Sequence, residues 1–186
     1  MRPETRAALR GAAGAVGIWL VLLSPAAAQE TPAGPDVPDT LRESYRDWVL
    51  RCAAGAGPGA TPPRRCEIAQ EVRTAETDQR VLRMALAGND GAGAAVTLVT
   101  PFGVRVADGV GIATAGMDGT RIDFLTCLQG GCVATGTLDA AMLDALQAAE
   151  TATVTMNSTG GETVTLDLSL AGFAAAWRRL GALAPD

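Results

Sequence analysis

Four cysteines are the residues of this chain whose type and spacing could do chemistry. They are Cys52, Cys66, Cys127 and Cys132. An even number of cysteines in an exported protein is typical of a disulfide framework, and four cysteines allow three connectivities. The sequence favours the local pairs, Cys52 with Cys66 and Cys127 with Cys132. Each pair would close a short loop and stabilise the fold by roughly 2–3 kcal/mol in the chain-entropy model.

The segment from Cys127 to Cys132 could instead be a redox dithiol. Redox motifs place two residues between their cysteines and hold one thiol at a helix N-terminus, which makes it more acidic. Here four residues intervene, the flanking sequence alternates as strands do, and Gly130 and Gly131 suit the positive φ angles of a tight hairpin turn. The pattern favours a structural bond, with thiol-disulfide chemistry as the alternative.

The absence of histidine and lysine removes several kinds of chemistry. Without histidine there is no Ser-His-Asp or Cys-His catalysis, and a metal would need all four thiols to converge. Without lysine there is no P-loop and no Schiff base. Asp108, Asp118 and Asp123 could serve as paired carboxylates, but they are spread over predicted turns and a polar strand face. The sequence therefore predicts no catalytic residue, no metal and no cofactor.

The first 28 residues have the order of a cleavable secretory signal. Three arginines precede an apolar run at 12–23, and the small residues 26–28 follow it. The run is too short to span a bilayer comfortably, so cleavage between Ala28 and Gln29 is favoured over an uncleaved anchor. Removing three Arg and one Glu leaves 12 Arg against 19 acidic residues, a net charge near −7 over 158 residues. Such an acidic domain is a poor partner for nucleic acid or anionic lipid.

The rest of the chain is predicted to be a Pro-rich flexible leader at 29–42 and one domain at 43–182. Apolar residues alternate with polar ones in six segments, which predicts half-buried antiparallel strands. These segments are 48–52, 66–72, 82–86, 96–98, 122–124 and 164–170. Glycine-rich turns separate them, at 88–93, 116–119, 130–131 and 160–161. The pattern predicts a mainly β fold, an antiparallel, jelly-roll-like β-sandwich.

Two segments instead have helical spacing, 138–146 with Thr137 or Asp139 as a cap, and 170–180 with Gly181 as an end. The aromatic residues fall in register with the buried positions, which predicts that they belong to the core. They are Trp48, Phe102, Phe124, Phe173 and Trp177. Asn157-Ser158-Thr159 matches a glycosylation sequon within a predicted turn.

An ordered set of short motifs resembles the invasion-associated locus B family of exported bacterial proteins, over about residues 45–180. The motifs include Trp48-Val49-Leu50-Arg51-Cys52, Thr100-Pro101-Phe102-Gly103-Val104, Phe124-Leu125-Thr126-Cys127 and Leu168-Ser169-Leu170-Ala171-Gly172-Phe173. The resemblance implies a disulfide-braced β-sandwich in the periplasm or outer envelope of Gram-negative bacteria. It carries over no catalytic residue.

The expected function is that of a non-enzymatic periplasmic or envelope protein, acting on an unknown protein partner in the envelope or at a host surface. We expect no nucleic acid or nucleotide ligand, and no membrane-spanning segment in the mature domain. A thiol-disulfide role for Cys127 and Cys132, and a carbohydrate-binding sandwich, are the alternatives.

Overall fold

The computed structural model describes residues 40–54, 64–88 and 93–183. The predicted signal at 1–28, its cleavage site at Ala28 and Gln29, and the predicted leader up to residue 39 lie outside these ranges. The described strands are β1 Thr40–Tyr45, β2 Trp48–Ala54, β3 Arg64–Arg73, β4 Arg80–Gly88, β5 Ala94–Thr100, β6 Val110–Thr114, β7 Met117–Ile122, β8 Phe124–Leu128, β9 Gly131–Leu138, β10 Thr151–Asn157 and β11 Thr163–Ser169. The helices are α1 Ala140–Ala148 and α2 Phe173–Gly181. Neither is long and apolar enough to cross a membrane.

The strands form two antiparallel sheets, as the alternating pattern predicts. Seven strands build the larger sheet in the order β1-β2-β3-β4-β5-β9-β8, and four build the smaller one in the order β11-β10-β6-β7. Each of the first five strands pairs antiparallel with its neighbour in sequence, since antiparallel neighbours need no crossover connection. The chain then enters the smaller sheet through β6 and β7 and returns to the larger one through β8 and β9.

One apolar core joins both sheets and both helices. Fully buried side chains come from the inner faces of β2 to β5 and from β6, β9 and β10, with helix residues among them. Helix α2 lies against β1 to β4, where Phe173 packs edge-to-face on Trp48 with ring centroids 4.9 Å apart. Helix α1 begins where Asp139 accepts a hydrogen bond from the amide of Met142, as the sequence predicts.

The domain begins earlier than the predicted residue 43. Thr40, Leu41 and Arg42, assigned to the leader by composition, lie in β1 and pair with β2. Leu41 and Tyr45 contact the core on one side of this strand. Residues 40–42 therefore belong to the domain, because they are part of a strand whose alternate side chains reach that core.

Three further predictions are corrected. The segment 122–124 is not one strand: β7 ends at Ile122 and β8 begins at Phe124 in the other sheet, because the chain crosses between the layers at Asp123. The residues 117–119 belong to β7 rather than to a turn. Of the two hairpin glycines, Gly131 alone has a positive φ, at 130°.

Candidate functional site

The two disulfides join the local pairs that the sequence favours, but they differ in exposure. Cys52 and Cys66 lie opposite each other on β2 and β3, and Cys52 is buried. Cys127 and Cys132 lie opposite each other on β8 and β9. Cys132 is buried, whereas Cys127 is exposed at the edge of the larger sheet.

Two of the three carboxylates considered for catalysis, Asp108 and Asp123, have separate structural partners, and Asp118 is an exposed residue of β7. Asp108 accepts a hydrogen bond from the Asn157 amide at 3.0 Å and lies 3.7 Å from the Arg105 guanidinium. Asp123 pairs with Arg121 at 2.9 Å and is largely exposed. Among the described residues, no three acidic or sulfur-bearing side chains gather as metal ligands would. The Asn157 amide of the sequon is also engaged, since its carbonyl accepts a hydrogen bond from Thr163.

The prediction that all five aromatic residues belong to the core is wrong for Phe102. Trp48 and Phe173 are fully buried, and Phe124 and Trp177 are partly buried, but Phe102 is 63 % exposed. It lies in the loop after β5, between Pro101 and Gly103. Pro ends the ladder of backbone hydrogen bonds and Gly adopts a φ of 88°, so the chain leaves the sheet at this residue. The Pro-Phe-Gly sequence was the signal that could have placed Phe102 in a loop.

Phe102 borders an apolar cleft of about 190 Å³. Its walls come from the start of β4, the loop after β5, and strands β10 and β11 of the smaller sheet. We call it the Phe102 cleft; its apolar lining includes Val81, Pro101, Val104, Met156, Val164 and Leu166. Ser158 also lines the cleft, and its hydroxyl accepts a hydrogen bond from the Glu162 amide at 3.1 Å. Such a cleft is suited to an apolar side chain rather than to a charged or metal-bound ligand.

The loop that carries Phe102 is held by backbone hydrogen bonds to the β10–β11 hairpin. The Gly103 carbonyl accepts one from the Thr159 amide, and the Arg105 amide donates one to the Asn157 carbonyl, each at 2.8 Å. Val104 also forms an isolated β-bridge with Ser158. These bonds hold the backbone that directly follows Phe102 against the hairpin.

An ion pair reinforced by hydrogen bonds lies elsewhere and joins β1 to α2. The Arg179 guanidinium donates to both oxygens of Glu43 at 2.9 Å, and the Tyr45 hydroxyl donates to Glu43 at 2.6 Å. The hydrogen bonds from Arg179 and then from Tyr45 lower the pKa of Glu43 to about 2. The same contact raises the pKa of Tyr45, since the Tyr45 hydroxyl donates a hydrogen bond to the Glu43 carboxylate. This cluster links two elements far apart in the chain and therefore has a structural role.

The fold and the site define a disulfide-braced β-sandwich that presents an apolar cleft beside an exposed aromatic residue. A family model described as invasion associated locus B (IalB) protein matches residues 48–181. The chain belongs to this family, which confirms the resemblance found in the sequence.

Two curated relatives support the assignment. Both are invasion protein B homologues of Brucella abortus, one from strain 2308 and one from biovar 1 strain 9-941. Each is 33 % identical over 150 residues, which cover 80 % of this chain and 84 % of the relative. The crystal structure of invasion associated protein B from Bartonella henselae shares the fold, with a TM-score of 0.67 at 24 % identity, over 77 % of this chain and 96 % of that one.

Proposed function

We propose that this protein is exported to the bacterial periplasm or envelope, where it acts by binding another protein through the Phe102 cleft and catalyses no reaction. The observation that carries the proposal is an aromatic side chain, 63 % exposed, on a loop fixed by backbone hydrogen bonds beside an apolar cleft. Large apolar side chains that anchor protein interfaces are found in such settings.

The energetics of the loop support binding. Ordering flexible side chains and loops at an interface costs free energy, and a loop that is already fixed avoids that cost. Removing the exposed 63 % of the Phe102 side chain from water contributes roughly 1–2 kcal/mol, since full burial of a phenylalanine is worth about 1.5–3 kcal/mol. Phe102 would therefore account for about a fivefold to thirtyfold gain in affinity.

The chemistry of the cleft favours a protein over the other partners considered. The mature chain carries a net charge near −7 from 12 Arg and 19 acidic residues, which opposes binding to nucleic acid. Carbohydrate sites combine aromatic faces with several polar groups, whereas this lining is apolar apart from backbone and Ser158. We infer that the occupant is an apolar side chain of an envelope or host-surface protein. The names of the relatives, invasion protein B homologues, support a link to host cells.

Site-specific photo-crosslinking in living cells tests the binding proposal. A photoreactive phenylalanine analogue replaces Val164, which is 39 % exposed in the cleft wall, or Val106, an exposed control outside the cleft lining. The expected result is a discrete protein adduct from position 164 that is lost when Phe102→Ser is added, and none from position 106. An adduct that persists with Phe102→Ser, the same adduct from position 106, or no adduct from position 164 would refute the proposal.

Cell fractionation with N-terminal sequencing tests export separately. The expected product is a periplasmic protein that begins at Gln29, and Ala28→Arg should block this processing. A cytoplasmic protein that retains residue 1 would overturn the proposed location.

A further inference from the structure

Strand β8 carries the exposed disulfide residue Cys127 between two exposed leucines. It is the terminal strand of the seven-stranded sheet, and all four residues from Leu125 to Leu128 are exposed. Leu125 is 71 % exposed and Leu128 is 60 % exposed. Cys127 and Thr126 lie between them in the strand, so a molecule that approaches this edge of the sheet meets the cysteine with an exposed leucine on either side along β8.

The two disulfides offer different access to an attacking thiolate. Cys52 is buried in β2, which is flanked on both sides by β1 and β3. Cys66 is partly buried against the core. In the second bond, Cys127 is an exposed residue at the sheet edge and Cys132 is 3 % exposed, so the Cys127 half of the bond is the more accessible one. Exchange rates depend on which sulfur can be reached, and this arrangement selects Cys127.

The hairpin has enough other contacts to keep its place if this bond opens. Strand β9 pairs with β5 over seven residues in register, from Leu138 to Cys132. The turn is also held by Arg80, whose guanidinium donates a hydrogen bond to the Gly130 carbonyl at 2.9 Å. Opening the bond therefore leaves β9 within the sheet.

We propose that Cys127–Cys132 is an exchangeable disulfide and that β8 is the docking strand for a dithiol oxidoreductase, with Leu125 and Leu128 as its apolar contacts. The partner's thiolate attacks the Cys127 sulfur, the bond to Cys132 breaks, and its electron pair leaves with Cys132 as a thiolate. A mixed disulfide then joins the partner to Cys127. Attack by the Cys132 thiolate on Cys127 reverses the step, restores the bond and releases the partner's thiolate. This inference does not depend on the proposed function of the Phe102 cleft.

A trapping experiment on the oxidised mature protein tests the site. The probe is a thioredoxin whose resolving cysteine is replaced by alanine, so that any mixed disulfide accumulates and can be mapped by mass spectrometry. The expected adduct lies on Cys127 and forms at least ten times faster than adducts on Cys52 or Cys66. A dominant adduct on Cys132, Cys52 or Cys66, or equal rates for both bonds, would overturn the assignment of the exchange site.

A second measurement separates docking from the intrinsic reactivity of the bond. Leu125→Ser combined with Leu128→Ser should slow the thioredoxin reaction about tenfold and leave the rate of reduction by dithiothreitol unchanged, since a small dithiol needs no docking surface. Val106→Ser, also at an exposed apolar residue, is the matched control and should change neither rate. An unchanged thioredoxin rate in the double variant, or an equal change with dithiothreitol, would refute the docking role of the leucines.

Discussion

Phe173→Ala should destabilise the domain strongly, because Phe173 joins helix α2 to the larger sheet. The side chain is fully buried and packs edge-to-face on Trp48, itself fully buried, at 4.9 Å. Truncating a fully buried phenylalanine to alanine costs about 3–5 kcal/mol from lost burial and the cavity left behind. The contact with Trp48 supplies roughly 0.5–1.5 kcal/mol of that loss.

Urea denaturation of the mature protein, followed by tryptophan fluorescence, measures this loss. A domain of this size has a total stability of about 5–15 kcal/mol, so Phe173→Ala should remove a large share of it. The melting temperature should fall by roughly 6–20 °C, at about 2–4 °C for each kcal/mol.

Phe102→Ala is the matched control, because it makes the same change at an aromatic residue that is 63 % exposed. Its expected effect on the free energy of unfolding is within about 0.5 kcal/mol, as for most surface substitutions. A loss below about 1.5 kcal/mol for Phe173→Ala, or similar losses for the two variants, would refute the assignment of one residue to the core and the other to the surface.

Three further predictions concern the ends of the helices. The folded pKa of Glu43, about 2, lies below its ordinary 4.5, so the unfolded chain binds more protons between these values and the contribution of Glu43 to stability falls as pH falls through that window. The urea midpoint, measured from pH 5 to 2, should therefore fall less steeply in Glu43→Gln than in the wild type. The same dependence of the midpoint on pH in both proteins would contradict stabilisation of the Glu43 carboxylate by Arg179. Asp139→Ala should cost about 1 kcal/mol by removing the cap of α1, with Asp139→Asn as the conservative control in the same urea assay. Gly172→Ala should cost more than about 2 kcal/mol or prevent folding, because the φ of Gly172 is 90° and the added Cβ would lie 1.9 Å from the Tyr45 carbonyl oxygen. A Gly172→Ala variant whose thermal melting curve, followed by circular dichroism, matches that of the wild type would contradict this.

Features that depend on residues close together in the sequence could be predicted from it. Apolar alternation found β2, β3 and β11, and helical spacing with Asp139 found α1. The alternating pattern also runs through β10, where threonines alternate with buried small and apolar side chains, although this strand was not among the predicted segments. The pattern could not divide the strands between sheets, because alternation reports which face is buried and not which neighbour pairs with it.

The Phe102 cleft could not be predicted, because residues distant in sequence build it. Val81, Phe102 and Val164 come from three separate segments that meet only when the sheets pack. The Glu43–Arg179 ion pair likewise joins residues 136 positions apart. The aromatic character of Phe102 predicts a core residue. The flanking Pro101 and Gly103 instead end the strand, which places Phe102 in a loop outside the sheet.

The affinity of the purified protein for the partner captured at position 164 tests the central claim most directly. Isothermal titration of the wild type, Phe102→Ser and Val106→Ser compares an exposed apolar residue at the cleft with another outside its lining. The expected result is a Kd at least about fivefold weaker for Phe102→Ser, which corresponds to a loss of about 1 kcal/mol or more, and an unchanged Kd for Val106→Ser. An unchanged Kd for Phe102→Ser, in a protein that melts at the wild-type temperature, would contradict binding through the Phe102 cleft.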